Sequence, residues 1–176
     1  AMENKIPVLL DLVGVACSDL RLDLARELLR IGHPAVLKGN MSELLAVSGL
    51  PSHAIGIDAG VEDALTEENI DGVSEVLKAF SRNNQAIVLA TGKQDFVTDG
   101  ERVVLVQNGS AALSGITGTG CMLGMICATY LAVTDSFTAA VSAAREFGTA
   151  GERAEKNSSG PGSFQTELFD QFYNLL

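Results

Sequence analysis

Apolar positions along the chain fall into short continuous runs and longer periodic stretches that alternate. Residues 6–10 are apolar throughout and stop at Asp11, the pattern of a strand buried on both faces. A loop over 13–19 follows, and Ser18 or Asp19 can cap a helix over 20–31, where Leu24, Leu28 and Ile31 recur at helical spacing. Residues 35–37 form a second short strand ending at Lys38-Gly39-Asn40. Asn40 then caps a brief helix, 41–47, closed by Gly49. Residues 56–66 are polar, contain glycine and show no period, as expected of a surface loop. The stretch 69–81 is amphipathic, with Ile70, Val73, Val76, Leu77 and Phe80 on one side. A buried strand over 86–90 ends at Thr91-Gly92. Residues 96–98 and 102–106 flank Asp99-Gly100, a strong hairpin turn, and Asn108-Gly109 marks another turn. The run 121–133 has almost no polar face and reads as a helix buried on most sides. Two helices close the chain, 136–155 and 164–176, separated by Ser-Ser-Gly-Pro-Gly-Ser.

Alternating strands and helices predict one α/β domain with a largely parallel sheet, plus a β-hairpin near 95–107. Such sheets bind ligands beyond the carboxyl ends of their strands. Asp11, Asn40 with Glu43, Thr91 and the loop at Gly118 all fall there. A strand that belongs deep in a sheet yet follows so few residues implies that the chain is part of a larger protein. Composition narrows the ligand. Only 5% of the residues are aromatic and there is no Trp, so a pocket would be lined by aliphatic side chains and backbone. A net charge of −10 argues against nucleic acid, which is bound through basic patches, but leaves room for a small phosphate compound. Cys17, Cys121 and Cys127 make an odd number without CxxC spacing, so a disulfide framework or structural zinc is not expected. No signal peptide opens the chain, and its longest apolar run falls short of the roughly 20 residues that span a bilayer. The expectation is a soluble, cytoplasmic protein without membrane partners.

Candidate chemistry centres on Thr117-Gly118-Thr119-Gly120-Cys121. Glycines allow a tight turn and close backbone approach to a ligand, and the following helix aims unpaired N–H groups at one spot. Gly118, Thr119, Gly120 and Cys121 can thus form an anion hole, or the segment is a glycine-entered helix start with a structural cysteine. Asn40-Met-Ser-Glu43 is a capping box, a carboxylate beside a magnesium ion, or both. Asp11 ends a buried strand, where a carboxylate needs either loop N–H donors or a cation. The phosphate loop favours the cation. Arg21 is a solvated helix residue or a phosphate contact. Thr91 alone carries little signal. His33 and His53 receive no role, and Cys17 and Cys127 are expected as small core fillers.

In order and spacing these segments resemble hydroxyethylthiazole kinases, members of the ribokinase-like superfamily. The resemblance rests on Asp11-Leu-Val-Gly14, Arg21, Lys38-Gly-Asn-Met-Ser-Glu43, Ala90-Thr-Gly92, Asp99-Gly100, Asn108-Gly109, Thr117-Gly-Thr-Gly-Cys121 and Gly160-Pro-Gly-Ser-Phe164. Cysteine is the sharpest marker, since most ribokinase-like enzymes have Gly-x-Gly-Asp there. The resemblance implies ATP-dependent phosphorylation of 4-methyl-5-(2-hydroxyethyl)thiazole in thiamine biosynthesis. By matching position, Arg21 and Thr91 would contact ATP and Gly118 the thiazole. Asp11 and Glu43 would hold Mg2+ through water, and Cys121 would replace the aspartate base. It also implies a homotrimer in the complete protein. Two departures stand out: Leu12 replaces the family's usual proline, and the N-terminal third of the family has no counterpart. Rival readings are another vitamin-precursor kinase, a nucleotide-dependent dehydratase, or a truncated nucleotide-binding module without chemistry.

Overall fold

Three strands run side by side because each pair is joined through helices that return the chain to the same end. β1 (Leu9–Asp11), β2 (Val36–Asn40) and β3 (Ile87–Thr91) are parallel, connected by α1 (Asp19–Ile31) and then by α2 (Met41–Val47) and α3 (Ile70–Asn84). The computed structural model describes residues 1–54, 57–66 and 69–175, and among these the five strands form one sheet in the order β1-β2-β3-β4-β5. β4 (Asp95–Thr98) and β5 (Val103–Val106) form the antiparallel hairpin expected from Asp99-Gly100. Gly100 has φ 95°, a conformation that a Cβ would strain.

Side chains alternate across the sheet with period two. Leu37, Val88, Ala90 and Phe96 pack with α1, α2 and α3, whereas Val36, Leu89 and Val97 pack beneath α4 (Thr119–Tyr130) and α5 (Ser136–Asn157). Each of these fully buried Val, Leu or Phe side chains contributes about 1.5–3 kcal/mol. α6 (Pro161–Leu175) lies on α5, with Phe164 and Leu168 against Ala150 and Ala154. It begins three residues before the expected start, at Pro161, because proline suits a first helical turn.

Five expectations change. β1 is short and only partly buried, with Ile6 exposed, because it lies at an edge of the sheet and is paired on one side among the described residues. On α1 the core-facing residues are Leu22, Ala25 and Leu29, while Leu24 and Ile31 form a second, exposed stripe. α4 buries Leu123, Gly124 and Cys127 but exposes Cys121, Met125 and Ala128, since only one of its sides meets the sheet. Cys17 is exposed in a 3-10 turn (Val15–Cys17), whereas Cys127 is buried and its thiol is pushed up to about 11 by desolvation. Within the loop expected over 56–66, Gly56 lies outside the described residues, and a 3-10 turn (Val61–Asp63) carries the buried carboxylate of Asp63.

Candidate active site

The glycine loop is held from behind. Thr119 Oγ1 donates to the carbonyl of Leu113 at 2.9 Å and to that of Ile116 at 3.1 Å, fixing the start of α4 to the preceding 3-10 turn (Ala111–Gly115). Gly118 is the N-cap with φ 98°, and no side chain caps the helix, so its first N–H groups keep their donor capacity. Cys121 lies exposed in this first turn.

Opposite the loop sits a charge pair on adjacent strands. Asp11 and Lys38 are register partners, and Lys38 Nζ lies 3.2 Å from both carboxylate oxygens of Asp11. Lys38 is only 4% exposed, an unusual place for a lysine unless it is paired. The loop closes over this pair. A Cβ on Gly120 would lie 3.1 Å from Lys38 Nζ, and one on Gly124 would lie 3.5 Å from Asp11 Oδ2. Glycine at these positions leaves the helix backbone open to the charges below.

Glu43 forms the second part of the site. The capping box is present: Asn40 Oδ1 accepts from the Glu43 N–H at 2.9 Å and Glu43 Oε2 accepts from the Asn40 N–H at 2.8 Å. The other carboxylate oxygen accepts from the Gly14 N–H at 2.7 Å. Glu43 therefore ties the loop after β1 to the end of β2. Burial raises its pKa, against the lowering effects of those two N–H bonds and of Lys38. Of the two sequence readings of Asn40 and Glu43, the capping box is the one observed, so Glu43 is first of all structural.

Arg21 is exposed, with its guanidinium donating to the Val13 carbonyl at 3.0 Å and lying against Gly14. It stands on the outer side of the β1 loop, one residue from the bond between Gly14 and Glu43. Thr91 ends β3 and donates to the Gly39 carbonyl at 3.3 Å. The structure brings Asp11, Glu43 and the glycine loop together. Two residues were not assigned from the sequence. Lys38 could have been noticed as a lysine inside a buried strand. Asp95 opens β4, accepts from the Gly92 N–H at 3.0 Å, and is pushed up to about 6 by burial against the pull of that bond and of Lys38.

Among the described residues no cluster of three or more His, Cys, Asp or Glu side chains forms a ready-made metal cage. The donors that are present fit a magnesium ion that keeps most of its waters and takes other ligands from a phosphate. Asp11 keeps 21% of its side chain exposed, whereas both Glu43 oxygens already accept backbone bonds. Two hollows flank the loop. One of about 270 Å³ is walled by Ala112, Ile116, Glu155, Pro161 and Phe164. The other is an apolar groove of about 360 Å³ between Cys121, Met125, Phe169 and Phe172.

The profile of the hydroxyethylthiazole kinase family matches residues 1–176. The chain is 42% identical over 175 residues to hydroxyethylthiazole kinase 2 of Clostridium botulinum strain Hall, covering 99% of this chain and 66% of that protein. It is 39% identical over 176 residues to hydroxyethylthiazole kinase of Methanosarcina acetivorans, covering 99% of this chain and 65% of the relative. The solved structure of a hydroxyethylthiazole kinase protein from Pyrococcus horikoshii OT3 matches with TM-score 0.83 and 33% identity, over 99% of this chain and 62% of that one. A ribokinase-like superfamily protein from Enterococcus faecalis V583, at 12% identity and TM-score 0.59, shares the fold over 95% of this chain and 52% of its own. The chain thus spans just under two thirds of the length of the curated relatives it matches.

Proposed function

The chain belongs to the hydroxyethylthiazole kinase family, and from that premise we propose that the complete protein transfers the γ-phosphoryl group of ATP to the primary alcohol of 4-methyl-5-(2-hydroxyethyl)thiazole, a step of thiamine biosynthesis. One observation carries this reading: a part-buried Asp11–Lys38 pair lies directly beneath the glycine-lined start of α4. Phosphoryl transfer depends on positioning and on charge stabilisation, and this is the place where both are concentrated. The N–H groups of Gly118, Thr119, Gly120 and Cys121 serve as the anion hole for the moving phosphoryl group. Lys38 faces the phosphate chain from below, Thr91 lies at the nucleotide side, and Gly118 contacts the thiazole. Arg21, on the outer side of the β1 loop, reaches only an outlying part of ATP.

Magnesium, when bound, would neutralise charge on the phosphate oxygens. Asp11 would hold it, with Glu43 acting through water. The alcohol oxygen bonds to the γ-phosphorus as the bond to the β-bridging oxygen breaks, ADP leaves, and the alcohol proton passes to Cys121 Sγ or to solvent. Cys121 is exposed in the first turn of α4, where an incoming hydroxyl can reach it. The nucleoside lies toward the hollow at Ala112 and Phe164. The protein is proposed to act as a homotrimer. A reducing cytoplasm suits its three free cysteines. No helix among the described residues is long and apolar enough to cross a membrane.

The test has two arms. Isothermal titration of this chain with Mg-ATP should show binding. Phosphate transfer by the full-length protein should favour the thiazole alcohol over hydroxymethylpyrimidine and pyridoxal. Absent nucleotide binding, or a preferred acceptor among the other two, would overturn the assignment. Cys121→Ala should slow turnover moderately and Cys121→Asp should keep it. A folded but inert Cys121→Asp enzyme removes the thiol from the role of base.

A further inference from the structure

A polar row crosses the sheet beneath α4. Val36, Leu89 and Val97 point to the α4 and α5 face, so by alternation Lys38, Thr91 and Asp95 point there too, at the carboxyl ends of β2 and β3 and the start of β4. Asp11, the register partner of Lys38, completes the row. Three of its members have a place in the phosphoryl-transfer site. Asp95 does not. Its carboxylate accepts from the Gly92 N–H at 3.0 Å, across the turn that follows Thr91, and lies close enough to Lys38 to feel its charge.

We propose that Asp95 is a positioning residue of the nucleotide site, whose carboxylate holds the Thr91–Gly92 turn so that Thr91 faces the bound nucleotide. The inference rests on the kinase reading above. An Asp in such a turn is common for its bond to a nearby N–H, but this one also stands in line with Lys38 and Thr91 on the α4 face of the sheet. Its carboxylate is half-buried there, and burial opposes its ionisation. Asparagine at this position keeps an acceptor for Gly92 and loses the charge. Alanine loses both.

The experiment is a titration of the full-length protein with Mg-ATP for the wild type, Asp95→Asn, Asp95→Ala, Thr91→Ala and the Thr91→Ala/Asp95→Ala double variant, with melting curves for each. Asp95→Ala should weaken binding about tenfold, Asp95→Asn by about threefold or less, and Asp95→Ala should add little once Thr91 is alanine. Should Asp95→Ala not fold, Asp95→Gln, which moves the acceptor out by one methylene, should show the same loss. Wild-type affinity in Asp95→Ala or its substitute overturns the proposal. So does an Asp95→Asn loss as large as that of alanine, or simple additivity with Thr91→Ala. A wild-type protein that fails to bind Mg-ATP removes the kinase reading itself, and this inference with it.

Discussion

Two carboxylate clusters, one on β1 and β2 and one joining α2 to the segment after it, differ in what their acids have left to offer. At the first, Asp11 meets only Lys38 among the described residues and keeps part of its side chain in contact with solvent. At the second, Asp63 accepts from Ser42 Oγ, from the His53 N–H at 2.7 Å, and lies 2.8 Å from His53 Nδ1, with its side chain 3% exposed. Ser42 in turn accepts from the Gly60 N–H at 2.9 Å. The second cluster contains a serine, a histidine and an aspartate, which invites a catalytic interpretation. Its connectivity rules that out, because the serine donates to the aspartate rather than to the histidine. It is a staple that fastens the segment after α2 to the helix. Chemistry resides where acceptors are unsaturated and a backbone opens onto them, and only the first cluster meets both conditions.

The largest expected effect is at Lys38. Lys38→Met leaves Asp11 beneath the glycine loop without its cation, so denaturant unfolding should show a loss of about 3 kcal/mol. Mg-ATP binding should fall below detection. A folded Lys38→Met chain that binds nucleotide normally would erase the distinction between the clusters.

Asp63→Ala makes the opposite prediction. It leaves the Ser42 hydroxyl, which is fully buried, and the His53 N–H without their acceptor, and should cost about 2 kcal/mol of stability. Its effect on Mg-ATP affinity should be negligible. A drop in affinity matching that of Lys38→Met, at a temperature where the chain is folded, would make the staple part of the site.

Gly120→Ala sharpens the comparison from the loop side. Alanine gains up to about 1 kcal/mol of helix propensity over glycine. Against that, its Cβ would crowd Lys38 Nζ at 3.1 Å, the movable end of a flexible side chain. Stability should change little while Mg-ATP affinity drops several-fold, by roughly 1 kcal/mol. Unchanged binding would mean that the ligand does not approach the helix over Gly120.

Much of this was legible in the sequence for identifiable reasons. Local signals with a single physical cause came through: the Asn40–Glu43 capping box, the turn at Asp99-Gly100, and the tight glycine turn into α4 at Gly118. The convergence of Asp11 and Glu43 with the glycine loop followed from the rule that open α/β sheets gather ligands at strand ends. What escaped depends on contacts distant in sequence. Lys38 carries a charge in a strand too short to reveal its period, and its role appears only when α4 lies over it. Asp95 carried no reading in the sequence because the row across the sheet exists only once β3 and β4 pair. The apolar surfaces of α1 and α4 misled for a related cause. Hydrophobicity marks a face that can be buried, and the described residues cover one side of each helix.

The smallest effect concerns pH and separates the clusters without touching the site. His53 is half exposed, and its pKa is raised, chiefly by its bond to Asp63 and then by the charge of Glu62, whose carboxylate lies 3.3 Å from Nε2. A raised histidine stabilises the fold fully below its unfolded value of about 6.5, and that contribution disappears as pH rises through the folded value. Asp63 behaves inversely. Burial alone would raise it, but the bonds from Ser42 and His53 outweigh burial and leave it low, so its contribution persists above about 3.9 and is lost in acid as pH falls through the depressed value. The staple should therefore be strongest between these limits. Comparing wild type with His53→Gln by urea unfolding, the stability difference should be larger at pH 5.5 than at pH 8.5, while the two proteins bind Mg-ATP alike at both. A difference that grows with pH would show that the histidine works as a neutral hydrogen-bond partner and that the ionic account of the staple is wrong.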